Sequence, residues 1–240
     1  MKSVTVCVAI ATLVLAVPSA GTAQGGSKPT VAVLPFNNGA IGKAHEELQP
    51  LTKGIADLLI GELAANPGIR VIERDQIQKI IDEQKLSQTD LADQATAVRI
   101  GKLLGVHHMV AGGFITDGKG TMKFTSRVFK VETSEIEFPN PASKDATVTG
   151  KVDNFMELIN QLAVKLNAGL KLPDIPARVG EAQKAAAKKV PYEAVALFSK
   201  ALAAKDAGNK AEAVTLFRKS LDKFPQFERA NAELKKLQAQ

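Results

Sequence analysis

Three short stretches of this 240-residue chain bring together the residue types from which active sites are built. Gly113-Phe-Ile-Thr-Asp-Gly-Lys-Gly120 comes within one residue of a phosphate-binding loop, whose backbone amides and lysine cradle a nucleotide. Its last position is glycine, where a hydroxyl residue would hold magnesium. The residues that follow alternate like a strand, so no helix N-terminus would face the phosphates. The segment reads as a tight β-turn. His107-His108 offers two imidazoles, but adjacent strand residues point to opposite faces and cannot grip one ion. His45 lies far off in a loop, and the single cysteine, Cys7, is remote from all of them.

Glu73-Arg74-Asp75 is the tightest charged cluster. A carboxylate beside a guanidinium can begin acid–base chemistry, yet no serine or histidine stands nearby in sequence as nucleophile or proton shuttle. The cluster reads as a strand end, an ion pair and a helix cap at Asp75, with Arg74 a candidate for partner contact. Glu46-Glu47 and Asp82-Glu83 read as solvated charges. No cofactor and no metal are called for, and the chain reads as a non-enzyme.

The elements that position these residues follow from spacing. Thr30–Phe36 is a β-branched, alternating strand, and the stretch from Asn37 to Pro50 reads as loop. Leu51, Ile55, Leu58, Leu59 and Leu63 recur at helical spacing until Asn66-Pro-Gly68 stops them. Ile69–Glu73 reads as a second strand, followed by a short helix carrying Ile77, Ile80 and Ile81. A further helix runs from Leu91 to Leu104, with Ala95, Val98, Leu103 and Leu104 inward and Gly105 as its stop. Two strands, Val106–Thr116 and Thr121–Glu132, are joined by the hairpin turn Asp117–Gly120. Short strands at Ile136–Phe138 and Ala146–Thr149 precede a closing helix from Asp153. Helices alternating with strands, then a hairpin, indicate an α/β sandwich with a mixed sheet over 30–170.

Beyond a linker at 171–190, residues 191–240 are helical in pattern. Leu197, Ala201, Ala213, Phe217 and Ser220 stand where a tetratricopeptide repeat places its packing residues, making a small α-helical hairpin capped by Glu228–Leu237. A single such unit must lean on the α/β domain, pair with a second copy or dock on a partner. Tyr192, Phe198 and Phe217 are the candidates for apolar partner contact in its groove.

The N-terminus bounds the compartment. Met1-Lys2 followed by the apolar run Val4–Val17 and the small residues to Ala23 reads as a secretory signal over 1–23, cut after Ala20 or Ala23. That run is shorter than the roughly 20 residues a membrane-crossing helix needs. Residues 24–29 form a polar tether. With Cys7 inside the leader, the mature chain has no disulfide, thiolate or cysteine zinc site. The net charge of +6 comes from lysines scattered among carboxylates, and one Tyr with no Trp gives no platform for stacking bases. A nucleic-acid partner is not expected.

One set of segments resembles a known family. Val31-Ala-Val-Leu-Pro-Phe36, the helix Leu51–Leu63, Val71-Ile-Glu-Arg74 with Gln76–Ile80, Ile100–Gly105, Val110-Ala-Gly-Gly113 and Val128–Thr133 are similar, in order, to the curli-secretion (CsgG) family domain. The same fold is similar to LpoB-like activators of peptidoglycan synthases and to the N-terminal domain of TolB. The resemblance implies assembly or secretion work at the outer membrane. Channel members of the family carry a lipid-accepting cysteine and long inserted hairpins, neither of which this sequence shows. The expectation is a periplasmic accessory protein that binds other envelope proteins, with homo-oligomerisation and peripheral outer-membrane association as further expectations. A channel-forming subunit and an LpoB-like activator are the alternatives.

Overall fold

In a computed structural model, which describes residues 28–87, 89–140, 146–187 and 189–239, the run after Pro29 becomes strand β1 (Thr30–Val33), wholly buried. The expected leader, 1–23, and nearly all of the tether lie outside the described residues. Strand β1 pairs in parallel with β3 (Arg70–Val71) on one side and with β4 (His108–Thr116) on the other. Strand β4 then pairs antiparallel with β5 (Thr121–Lys130) along its whole length, from His108↔Lys130 to Thr116↔Met122. Strand β5 is shared at its far edge: β7 (Thr147–Lys151) takes its start and β6 (Glu135–Phe138) its end. A two-residue strand, β2 (Asn37–Asn38), extends the sheet beside β4 at Gly113 and Phe114. The sheet is mixed, as the alternation of helices and strands followed by a hairpin requires.

Helix α2 (Leu51–Ala64) and helix α5 (Phe155–Gly169) cover one face of the sheet. Phe114, Met122, Phe124 and Val148 are buried on that face, and the Phe124 ring meets Phe155 edge-on at 5.5 Å. Helix α3 (Arg74–Glu83) and helix α4 (Gln94–Leu104) cover the other face, but only over the end near His108. There Met109 and Val131 lie against Gly101 of α4. Ile115, Lys123, Thr125 and Arg127, further along the same face, are exposed.

Beyond Pro176 the described residues form four helices: α6 (Ala177–Ala187), α7 (Tyr192–Asp206), α8 (Lys210–Lys223) and α9 (Glu228–Gln238). Helices α7 and α8 form an antiparallel hairpin whose interior holds Ala194, Phe198, Ala201, Ala213 and Phe217. Ser220 Oγ closes it by donating to the Ala194 carbonyl at 2.7 Å. Of the three open possibilities for this hairpin, the first holds: it leans on the α/β body. Helix α7 lies along α2, and one hydrophobic cluster runs unbroken through both units.

Four expectations need correction. The stretch 37–50 is not all loop, since it holds β2 and helix α1 (Lys43–Leu48); elements of two and six residues leave no readable period. The second strand shrinks to Arg70–Val71. Asp75 does not cap α3. Glu73 takes the extended cap conformation (φ −63°, ψ 141°), and Asp75 sits in the first turn. On α4 the inward stripe is Ala97, Val98, Ile100 and Gly101, which leaves Ala95 and Leu103 exposed. Gly105 ends α4 as expected, at a left-handed φ of 63° where a side chain would be strained.

Candidate functional site

Of the stretches singled out by sequence, Glu73-Arg74-Asp75 lies at the junction between the α/β body and the helical unit. Helix α2 brings Lys53 and Asp57 there, and the N-terminal end of α3 brings its cap Glu73 with Arg74 and Asp75. The end of α7 brings Lys205 and Asp206, and α9 brings Arg229, Glu233 and Lys236. Arg74 is the hub. Its side chain is 4% exposed, and it grips Asp206 with both terminal nitrogens, at 2.8 and 3.0 Å. One of them also donates to Asp75 at 2.9 Å. Lys53 Nζ adds a second cation to Asp206 at 2.6 Å.

A second fork lies beside the first. Arg229 donates to both oxygens of Asp57, at 2.6 and 2.9 Å, and Asp57 is 1% exposed. Lys205 bridges Asp75 to Glu233, and Lys236 bridges Glu233 to Glu73. Five cations (Lys53, Arg74, Lys205, Arg229, Lys236) thus face five carboxylates (Asp57, Glu73, Asp75, Asp206, Glu233). The formal charges cancel, and the close pairing offsets the desolvation cost of the buried members (Asp57, Arg74, Asp206 and Glu233) only as long as every partner stays. Burial alone would raise the Glu233 carboxyl, but Lys205 and Lys236 outweigh it and hold it below its ordinary value. Asp75 is lowered in the same way against burial, by Lys205 and Arg74. For Asp57 burial dominates: it pushes the carboxyl up, and Arg229 and Arg74 pull it back only in part.

This cluster can lock two units together. All its carboxylates are engaged by cations, and no nucleophile stands among its members. Sequence reading picked out Glu73, Arg74 and Asp75 and missed their long-range partners, because Arg74 and Asp206, for example, are 132 residues apart. One signal was present: Asp57 stands alone among Ile55, Ala56, Leu58 and Leu59, and a carboxylate in an apolar stripe must find a cation if the stripe is buried.

The ring candidates fare differently. Phe198 and Phe217 are fully buried, 5.7 Å apart, and Phe198 also meets Phe227 at 5.1 Å. They hold the hairpin together and offer no apolar surface, because α8 and α9 close over the groove in which exposed area was expected. Tyr192 is half-buried and packs, tilted, against Phe155 at 5.6 Å, continuing the ring chain from Phe124 out of the sheet. Burial raises its phenol. Of the four candidates, Arg74, Phe198 and Phe217 are buried and Tyr192 is half-buried.

The other stretches behave as turns and pairs. Asp117 Oδ1 accepts from the Lys119 and Thr121 amides, at 2.7 and 2.9 Å, which makes the near-phosphate loop a hairpin turn. His107 bonds Thr30 and His108 bonds Glu137 at 2.7 Å, with the two rings on separate partners. Among the described residues no group of three or more His, Cys, Asp or Glu side chains is placed to hold a metal.

Two clefts flank α6, with volumes of about 590 and 460 Å³. Glu62 lies between them and accepts from Asn160 Nδ2 at 2.7 Å and Gln183 Nε2 at 3.1 Å. Burial raises its carboxyl, offset only in part by Asn160. Gln183 also reaches the Glu62 carbonyl, so this group fastens α6 to α2.

Comparison with known proteins places the α/β body in context. Residues 15–123, from the apolar N-terminal run into β5, match the family model described as the curli production assembly/transport component CsgG. None of the curated proteins compared with the chain matches it. Among solved structures, the LpoB C-terminal domain from Salmonella enterica is 17% identical, with 53% of this chain and 84% of that one covered and a TM-score of 0.33. Lipoprotein GNA1162 from Neisseria meningitidis is 10% identical, with 51% and 79% covered and a TM-score of 0.38. The hypothetical protein CT253 from Chlamydia trachomatis is 12% identical, with 68% and 96% covered and a TM-score of 0.31. No helix among the described residues is long and apolar enough to cross a membrane.

Proposed function

We propose that this chain is a non-catalytic component of the bacterial envelope, exported to the periplasm by its leader and accessory to outer-membrane assembly or protein export. The observation that carries this reading is the CsgG family match over residues 15–123. The match coincides with the β1–α2–β3–α3–α4–β4 core of the body and joins it to a leader-like N-terminus. The α7–α8 hairpin acts as a tetratricopeptide-like unit capped by α9. Because the ionic cluster locks it to α2 and α3, it adds surface to the body and does not swing as a separate arm. Other envelope proteins are its partners, with self-association as a further mode.

A channel is the weaker reading. Strands β4 and β5 close at Asp117–Gly120, which leaves no inserted span between them of the 9–11 residues per strand that a membrane barrel uses. The test is cross-linking in living cells that express a C-terminally tagged copy, followed by denaturing purification. Covalent adducts with envelope proteins are the expected result. Adducts with cytoplasmic proteins alone would overturn the reading.

A further inference from the structure

On the sheet face left open beyond α4, the charged side chains of the described strand residues are cations. Successive outward positions on β5 are Lys123, Thr125 and Arg127, all exposed, and register places Ile115 of β4 opposite Lys123 and Thr149 of β7 on its other side. Lys151 of β7 lies opposite Thr121 on the same face, and Lys119 stands in the turn above it. Among the described residues no hydrogen bond or ion pair engages the Lys123 or Arg127 side chains. Asp117, in the turn above, accepts two backbone amides and also lies within electrostatic reach of Lys151. Asp90 and Asp93, on the segment leading into α4, are held by Ser87 and by the Thr96 amide.

Two aliphatic side chains stand in the same patch. Ile115 is 50% exposed, and Ile41 is 90% exposed on the loop after β2. That loop runs beside β4, since the Gly39 amide donates to the Phe114 carbonyl and Gly39 lies against the Ile115 side chain. The surface is a pleated sheet face, with a small hollow of about 160 Å³ beside Arg127. Isolated exposed cations need no explanation, but unpaired cations set around exposed isoleucines on one face do.

We infer that this face docks on an anionic lipid surface, with Lys119, Lys123, Arg127 and Lys151 against the headgroups and Ile115 and Ile41 at the level of the acyl boundary. Charge complementarity argues for the anionic partner. Ile115, half-exposed beside these cations, argues for a bilayer, whose interface takes up apolar side chains together with the charges. The inference stands apart from the envelope reading and can be tested on purified protein.

The experiment is co-sedimentation of the full chain with vesicles of phosphatidylcholine alone and of phosphatidylcholine containing phosphatidylglycerol. Binding to the anionic vesicles only, weakening as salt rises, is expected. Lys123→Glu with Arg127→Glu should weaken it at least tenfold, and Ile115→Ser should weaken it severalfold. Lys210→Glu with Lys219→Glu, the same charge change on α8, should leave it within twofold. Circular dichroism of each variant separates lost binding from lost fold. Equal loss in the α8 control would overturn the inference, as would binding indifferent to Ile115 and competed away by an acidic peptide.

Discussion

Arg74 is held by geometry that only a guanidinium satisfies. Two of its nitrogens fork onto Asp206 while one also reaches Asp75, and its Nε lies 3.8 Å from Asp57 without a hydrogen bond of its own. Removing it leaves Asp206 and Asp57 buried with one cation fewer, and breaking a buried pair in this way costs about 3–5 kcal/mol. Arg74→Ala should therefore lose about 3 kcal/mol in urea unfolding, given that Lys53 still compensates Asp206. Arg74→Lys should fall between the two, because it keeps the charge and loses the fork. A loss under about 1 kcal/mol would place the cluster in solvent-screened territory. The same cluster sets a pH dependence. Glu233 and Asp75 are held below their ordinary values in the folded chain, so the stability they contribute is complete above the unfolded carboxylate range. It is lost as pH falls through their lowered folded values. Asp57 and Glu62 are raised, take up protons earlier in the folded state and cushion the fall. Glu233→Gln should make the stability loss between about pH 5 and 3 shallower, measured by thermal melts across that range.

At the scale of elements, the junction depends on two helices that touch almost backbone to backbone. A Cβ added at Gly54 of α2 would lie 1.8 Å from Ser199 Oγ and 3.3 Å from Ser199 Cα. Gly54→Ala should therefore push α7 away and cost about 1–3 kcal/mol, the usual range for overpacking. Ser199→Gly removes both offending side-chain atoms and should recover part of that loss, giving a nonzero coupling in a double-mutant cycle. Additive effects would mean that the helices do not meet there. How much of this was legible in the sequence depended on period and length. Helix α2 and strands β4 and β5 repeat their pattern for ten residues or so, and the Asp117–Gly120 turn states its own chemistry. Elements as short as β2 and α1 carry no period. Leu103 misled because α4 turns its Ala97, Val98 and Ile100 stripe to the sheet, and a lone leucine off that stripe is free to face water. The ionic cluster could not be read because its pairs join α2 and α3 to α7 and α9 across most of the chain.

For the whole molecule, the ring chain Phe124, Phe155 and Tyr192, the α2–α7 contact and the neutral cluster make the body and the helical unit one structure. The full chain should unfold in a single transition by circular dichroism. A fragment of residues 191–240 alone should show little helix and no cooperative melt, because it would expose α7's contact face, strand Asp206 without Lys53 and Arg74, and leave Arg229 without Asp57. A cooperative melt of that fragment would instead mark the helical unit as an independent domain. Placing this single body in the envelope, as a non-catalytic accessory, is the step that most needs a direct measurement. That measurement is fractionation of cells expressing a C-terminally tagged copy, with salt-washed outer membrane and osmotic-shock fluid run unheated on a gel. Release by shock and salt as a monomer or small oligomer is the predicted result. A detergent-requiring, heat-sensitive oligomer in the outer membrane would contradict it and make the chain a channel subunit.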